Sequence, residues 1–450
     1  MRTRVVVAFF LTLAVLGGSL LLGIESGKYA RDQGQKQCEQ VETIIEMMDV
    51  IESAYAEEVE QERLLHSAAK GLTKALDKHS TYLDPDTYKQ FMEDNQGKYS
   101  GIGIRIQQHP EGGLSVMELI PGGPAEETDL QSGDRIVRVD ETDVTALAMT
   151  AIVSMIKGPA GEPVTIGVLR EDSPIEFTIV RRSVKVDSVH AEWIGDGVAY
   201  AHVTTFQKAS TTELHAELET FSQKSDGPIR ALILDLRQNG GGLLTEAVAM
   251  VDLFVDSGKI VATMVRGGRT ERQYSAETGF SHNGLKLKAD EAWASLPSIL
   301  VLVDERSASA SEIVAGALQD LGRAKVIGVQ SYGKGSVQSI QKLNAGGGIK
   351  ITIGRYQLPS GRFIDKDGGV TPDIEVAYYE DDQKVNALFE ALDEVDLSPE
   401  KRLEIGEIVE GLREKRQAPH PYRFQAPIRE RIQWDPQLRK ALDIAQNATP

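Results

Sequence analysis

Arg2 and Arg4 precede an uninterrupted uncharged run from Val5 to Gly23. That length suits a signal-peptide core or a short membrane helix, and the basic flank would stay in the cytosol while the rest is sent outward. No small-x-small cleavage site follows, so residues 1–30 read as an uncleaved anchor, with a cleaved signal as the alternative. Next, Val41, Ile44, Ile45, Met48, Ile51 and Tyr55 recur at helical spacing, and Leu64, Leu65, Ala68, Leu72 and Leu76 continue the pattern. Residues 37–96 are therefore predicted as a helical arm that packs or dimerises. Asp77-Lys78-His79-Ser80 breaks the pattern, and His79 reads as a structural loop residue.

From 97 to 186 the period changes to two. Ile102, Ile104 and Ile106 alternate, Leu114, Val116 and Leu119 do so loosely, and Pro121-Gly122-Gly123-Pro124-Ala125 leads to Gly133-Asp134-Arg135-Ile136-Val137-Arg138-Val139. One helix near 146–156 and a strand from Val164 to Arg170 complete the segment. This ordered set of turns resembles a PDZ domain, with Tyr99-Ser100-Gly101-Ile102-Gly103-Ile104 at the carboxylate-binding loop. The resemblance implies that Ile102, Gly103 and Ile104 contact a peptide C-terminus, whose chain adds a strand to the sheet edge.

Strands and helices alternate from 187 to 378. Val198–Val203 reads as a strand, Ile229–Leu236 as one continuous enough to be buried on both faces and Ser298–Val303 as another buried strand, while helices are expected at 243–255 and 311–321. Strands are also expected at 325–329, 336–343 and 349–358, so the chain is α/β and multidomain. Residues 379–450 turn charged and helical; Ser398-Pro399-Glu400 and Asp435-Pro436 are helix starts, and Leu403, Ile408, Val409 and Leu412 form an apolar stripe. No catalytic signal stands out in that region.

Composition narrows the chemistry. The 450 residues carry a net charge of -18, which argues against nucleic acid as a partner. Cys38 is the only cysteine, so no intrachain disulfide or cysteine-based zinc site can form, and the eight histidines include no His-x-x-x-His pair. Neither a metal nor a cofactor is expected.

Two stretches remain that could carry a reaction. Ser307-Ala308-Ser309-Ala310-Ser311-Glu312 lies where a buried strand turns into a helix, whose amino end favours developing negative charge. Serines before helices are usually N-caps, and spacing alone does not choose among the three. Tyr332-Gly333-Lys334-Gly335-Ser336-Val337-Gln338 offers a lysine between glycines, most often a solvated charge. To act as a base it must be desolvated, which lowers its pKa from about 10.4. Gln338 could hold the amine without restoring its proton. Gly328 to Lys334 satisfies most of a phosphate loop, but Gly335 stands where Ser or Thr is needed and a strand follows where a helix should. A Gly-x-Ser-x-Gly elbow is absent from the sequence.

These stretches, with Asp235-Leu236-Arg237-Gln238-Asn239-Gly240-Gly241-Gly242, Leu358-Pro359-Ser360-Gly361-Arg362 and Gly369-Val370-Thr371-Pro372-Asp373, resemble the carboxyl-terminal processing peptidases. Those are PDZ-containing serine proteases with a Ser/Lys centre, and their core is similar to the crotonase and Clp-protease type. The resemblance implies Ser309 as nucleophile, Lys334 as general base and Gln338 as the residue orienting the lysine. It puts the oxyanion hole at the N–H groups of Ala310 and Gly241. Many relatives read Asn-Pro-Gly-Gly where this chain has Asn239-Gly240-Gly241-Gly242, which leaves the choice of glycine open. The implied partners are protein substrates with free C-terminal tails in the cell envelope, an activating adaptor, the inner membrane and further copies of the chain. A catalytically silent PDZ scaffold is the competing expectation. Arg170 reads as an ordinary exposed strand-end arginine rather than a link to the active site.

Overall fold

The computed structural model describes residues 41–224, 227–276, 280–282, 285–287, 291–366, 368–377, 401 and 427–447. The segment expected to be an anchor lies outside these residues, as do Ser398-Pro399-Glu400 and the Leu403 to Leu412 stripe. Among the described residues no helix is long and apolar enough to cross a membrane.

The chain divides into two units, Met1–Asp84 and Pro85–Pro450. In the first, residues 41–54 are helical and a second helix runs Gln61–Lys74. Many apolar positions of these two helices, among them Val41, Ile44, Ile45, Leu65 and Leu72, are exposed, while Met48, Ile51, Leu64 and Ala68 are partly covered. Asp77 forms the turn after the second helix by accepting the N–H of His79 at 2.7 Å and of Ser80 at 2.9 Å.

Within the second unit, strands Lys98–Gly101 and Arg182–Lys185 pair antiparallel, so a small β-domain is entered and left through one ribbon. Its sheet runs Ile104–Gln108, Leu114–Leu119, Arg135–Val139, Pro163–Arg170, Ser173–Val180 in spatial order. The alternating apolar side chains Ile104, Leu114, Val116, Ile136, Val139, Val164, Ile166 and Val168 point inward, and Ile152 of helix Met149–Ile156 closes that core. Arg170 is no free strand-end charge: its guanidinium donates to both oxygens of buried Asp134 at 2.7 Å and to Asp129 O at 2.7 Å.

The larger domain has three layers. Its sheet follows the order Val189–Gly195, Val198–Val203, Ala231–Asp235, Ser298–Val303, Lys325–Gly328, Ile374–Glu375, parallel after the first pair. Alternate residues of the same strand bury on opposite faces, which is why these strands read as unbroken apolar runs. Leu232, Leu234, Val301 and Val303 pack under helices Ser210–Lys224, Leu244–Asp252 and Ala310–Asp320. Ile233, Leu300 and Leu302 pack under Ile428, Leu438, Ala441 and Leu442 of helices Ile428–Trp434 and Pro436–Asn447. A second sheet joins Ser336–Lys342, Gly348–Gln357, Gly258–Val265 and Arg269–Ala276. The last of these is polar and mostly exposed, so its sequence carries no apolar alternation.

Candidate active site

The site grows from the turn after strand Ser298–Val303. Buried Asp304 accepts the N–H groups of Gln238, Arg306 and Ser307 at 3.0 to 3.1 Å, tying this turn to the end of the neighbouring strand. Ser307 Oγ donates to Leu236 O and Ser311 Oγ to Asn239 O, both at 2.8 Å. A hydroxyl has one proton to give, so these two serines are spent on the scaffold. Ser309 makes no such donation among the described residues.

Ser309 sits at φ 57°, ψ -109° as the N-cap of helix Ala310–Asp320, a backbone shape non-glycine residues rarely adopt and that costs about 1–3 kcal/mol. The surroundings impose it. The glycine loop presses from one side: a Cβ on Gly241 would lie 2.8 Å from Ser309 Cβ and 2.9 Å from Ala310 N. Gly241 has φ 102°, so a side chain there would meet both strain and collision.

From the other side comes Glu312, fully buried. Its Oε2 accepts the backbone N–H of Ser309 and of Lys334, each at 2.8 Å. Its Oε1 accepts Ser331 Oγ–H and Gly333 N–H, both at 2.6 Å. Burial pushes the Glu312 carboxyl up, and these four donors oppose the shift. Ser331 is itself fixed, since its Oγ accepts Val370 N–H at 2.7 Å. One carboxylate therefore sets the distance between the serine turn and the lysine loop. Sequence reasoning passed over Glu312, although Ser309-x-x-Glu312 is the pattern of a helix capping box.

Lys334 is half-buried, and its amine has no hydrogen-bond or ion-pair partner among the described residues. Burial draws its pKa below the ordinary 10.5, Lys350 adds to this, and Glu312 opposes it. Gln338 does not reach that amine through any described bond. Its Nε2 donates to Ser336 Oγ at 2.8 Å and Thr352 Oγ1 at 3.4 Å. Of the two expected oxyanion donors, Ala310 keeps a first-turn N–H without an intrahelical acceptor. Gly241 donates its N–H to Asn239 Oδ1 at 2.9 Å. Among the described residues no group of three His, Cys, Asp or Glu side chains is placed to hold a metal ion.

In the small domain, Tyr99, Ile102, Ile104, Ile120, Val153 and Ile156 line an open, mainly apolar cavity of about 310 Å³. Gly103 has φ 78° and packs its Cα against Gly123, and its carbonyl accepts Ile120 N–H at 2.9 Å. Burial raises the pKa of the Tyr99 hydroxyl, while the Ile104 N–H, the Arg105 charge and the Gly103 N–H oppose the shift.

Comparison with known proteins gives this arrangement a class. Residues 197–376 match peptidase family S41 and residues 90–169 match the PDZ domain, so the chain is a serine-type peptidase with a PDZ domain. The carboxy-terminal-processing protease of Bartonella bacilliformis is 32% identical over 373 residues, 82% of each chain. The carboxy-terminal processing protease CtpA of Bacillus subtilis is 29% identical over 374 residues, 82% of this chain and 74% of that one. Among solved structures, a photosystem II D1 C-terminal processing protease is 25% identical, covers 76% of this chain and 94% of its own, and superposes with a TM-score of 0.42. The chain belongs to the carboxy-terminal processing proteases.

Proposed function

We propose that the chain is an endopeptidase of the cell envelope that cuts proteins at or near their C-terminal tails through an acyl-enzyme on Ser309, with Lys334 as general base. The observation that carries this is the single carboxylate of Glu312, which bonds the backbone of both residues. Lys334, whose pKa burial lowers, takes the Ser309 proton on its neutral amine as Oγ attacks the peptide carbonyl. The oxyanion forms beside Ala310 N–H, and a glycine N–H joins once the loop releases one from Asn239. Lys334 then returns its proton to the leaving amine, and water hydrolyses the acyl-enzyme. Gln338 serves as orienter of the lysine if it leaves Ser336 when substrate binds.

The PDZ domain takes the free C-terminus, its carboxylate on the N–H groups at Ile102, Gly103 and Ile104 and its last side chain in the apolar cavity. The uncharged run from Val5 to Gly23 anchors the protein at the inner membrane, and the exposed apolar positions of helices 41–54 and 61–74 pair with another copy.

Cleavage of an unfolded model protein by the wild type, Ser309→Ala and Lys334→Ala tests the chemistry. Each variant is expected to lose about 10³-fold or more in kcat. Undiminished proteolysis in either one sinks the dyad, and an inert wild type supports the silent scaffold. Recovery of the full chain in the cytosolic fraction on cell fractionation would sink the envelope reading.

A further inference from the structure

Arg237 lies three residues before the glycine triple and is fully buried. Its guanidinium grips Asp235, with Nε to Oδ1 at 2.9 Å and Nη2 to Oδ2 at 2.6 Å. Its other edge reaches a segment 198 residues away: Nη1 donates to Asp435 Oδ1 at 2.9 Å, and Nη2 lies 2.8 Å from Asp435 Oδ2. Nη1 also donates to Gln437 Oε1 at 3.0 Å. Arg431, from the same segment, donates to Tyr200 OH at 2.6 Å, and Tyr200 donates to Asp235 Oδ2 at 2.8 Å.

Two cations and two anions thus meet in the buried interior. Covering this face of the sheet does not need them, because Leu438, Ala441, Leu442 and Ala445 already do so, and buried ion pairs are a poor source of stability. A guanidinium held on both edges is fixed in orientation, which a hydrocarbon cannot provide. What it fixes is the start of the loop beside Ser309. Gln238 follows at φ 62°, and then Asn239, whose carbonyl accepts Ala308 N–H at 3.0 Å and whose amide donates to Val203 O at 2.8 Å.

We propose that Asp435, assisted by Gln437, is a positioning residue that sets the glycine loop against Ser309 and Ala310 through Arg237. Asp435 and Gln437 then do more than cover the sheet, whereas Leu438, Ala441, Leu442 and Ala445 of helix Pro436–Asn447 serve only as its apolar cover. The inference rests on the assignment of Ser309 as nucleophile.

The test compares full-length Asp435→Asn, Gln437→Ala and Leu442→Ala with wild type and Ser309→Ala. Each is assayed for peptide cleavage, for labelling by a fluorophosphonate, and for its urea midpoint. Asp435→Asn is expected to lower kcat and the labelling rate by about 10- to 100-fold with KM within about twofold. Gln437→Ala should do the same more weakly, and Leu442→Ala should lower the midpoint while leaving kcat in place. An Asp435→Asn enzyme that is folded and cuts at the wild-type rate, or no slower than Leu442→Ala, overturns the proposal. Should Asp435→Asn not fold, an unchanged kcat in Gln437→Ala overturns it and a lowered one supports it. Continued cleavage by Ser309→Ala would instead overturn the assignment of the nucleophile, so the two failures are distinct.

Discussion

Two buried sets of charge flank the glycine loop and are built in opposite ways. Around Arg237, each ion is met by an ion of the other sign: Asp235 and Asp435 against Arg237, and Arg431 near Asp235. Glu312, by contrast, is satisfied by four uncharged donors, three of them backbone N–H groups. The difference follows from what each set supports. A carboxylate paired with the Lys334 amine would keep that lysine protonated and useless as a base. Spending its oxygens on backbone N–H lets Glu312 hold the lysine loop while burial still wins over its pull on the amine. Arg237 has no proton to exchange, so full ion pairing there costs the reaction nothing.

Among changes that leave Ser309 and Lys334 in place, the largest effect is expected where this contrast is broken directly. Glu312→Gln keeps size and shape but replaces one acceptor oxygen with an N–H₂ group, which would face two N–H or O–H donors. Each donor left without an acceptor costs about 1–3 kcal/mol, and the serine turn and lysine loop lose their common anchor. A loss of about 100-fold in kcat is expected, since misplacements of about 1 Å have that effect. Steady-state cleavage by the folded variant checks it, and a wild-type kcat would mean that Glu312 serves only as a helix cap.

How far these two sets could be read from the chain differs for a physical reason. The strand-to-helix turn, the serine cluster and the Ser309-x-x-Glu312 spacing are all local, so the sequence shows them together. Which serine is free depends on Leu236 and Asn239, 71 and 72 residues away from the hydroxyls they accept, and no local pattern encodes that. Asp435 is legible as the residue before a proline-initiated helix, yet its buried partner lies on another element. The Gln338 amide meets Ser336 and Thr352 for a similar reason: alternate residues of a strand share a face, and the cross-strand partner is set by register. Unbroken apolar runs exposed the parallel sheet and apolar alternation the small β-domain, whereas the exposed strand Arg269–Ala276 carried neither signal.

The next effect belongs to the Arg237 set and is one of stability. His202 is buried beside it, and burial lowers its pKa from 6.5 to about 4, with the cations Arg431 and Arg237 adding to the shift and Asp235 opposing it. Between those values the unfolded chain holds the proton and the folded one does not. His202 therefore contributes fully above pH 6.5, and about 3 kcal/mol is lost as pH falls to about 4. Glu312 has the opposite sign, because a carboxyl raised by burial favours the folded state as it becomes protonated. Urea midpoints at pH 7 and pH 4.5 should differ less in His202→Gln than in the wild type. An equal slope in both would remove His202 as the source.

The smallest effect tests the element joining the two sets. Ser311 stands on the helix that carries Glu312 and donates to the carbonyl of Asn239, in the loop that Arg237 begins. Its hydroxyl is as close to the amino end of that helix as a nucleophile needs to be, so chemistry alone does not disqualify it. Geometry does: its proton is already given at 2.8 Å to an acceptor that also takes Ala308 N–H, and the residue is fully buried. Ser311→Ala removes one donor from a carbonyl that keeps its other partner, a loss of about 1 kcal/mol in stability. With the loop still held by Ala308, Val203 and Arg237, kcat should stay within about threefold of wild type, as expected for less than 1 kcal/mol at the transition state. A dead but folded Ser311→Ala would move the nucleophile to this serine, and with it the whole reading of Glu312 as the link between nucleophile and base.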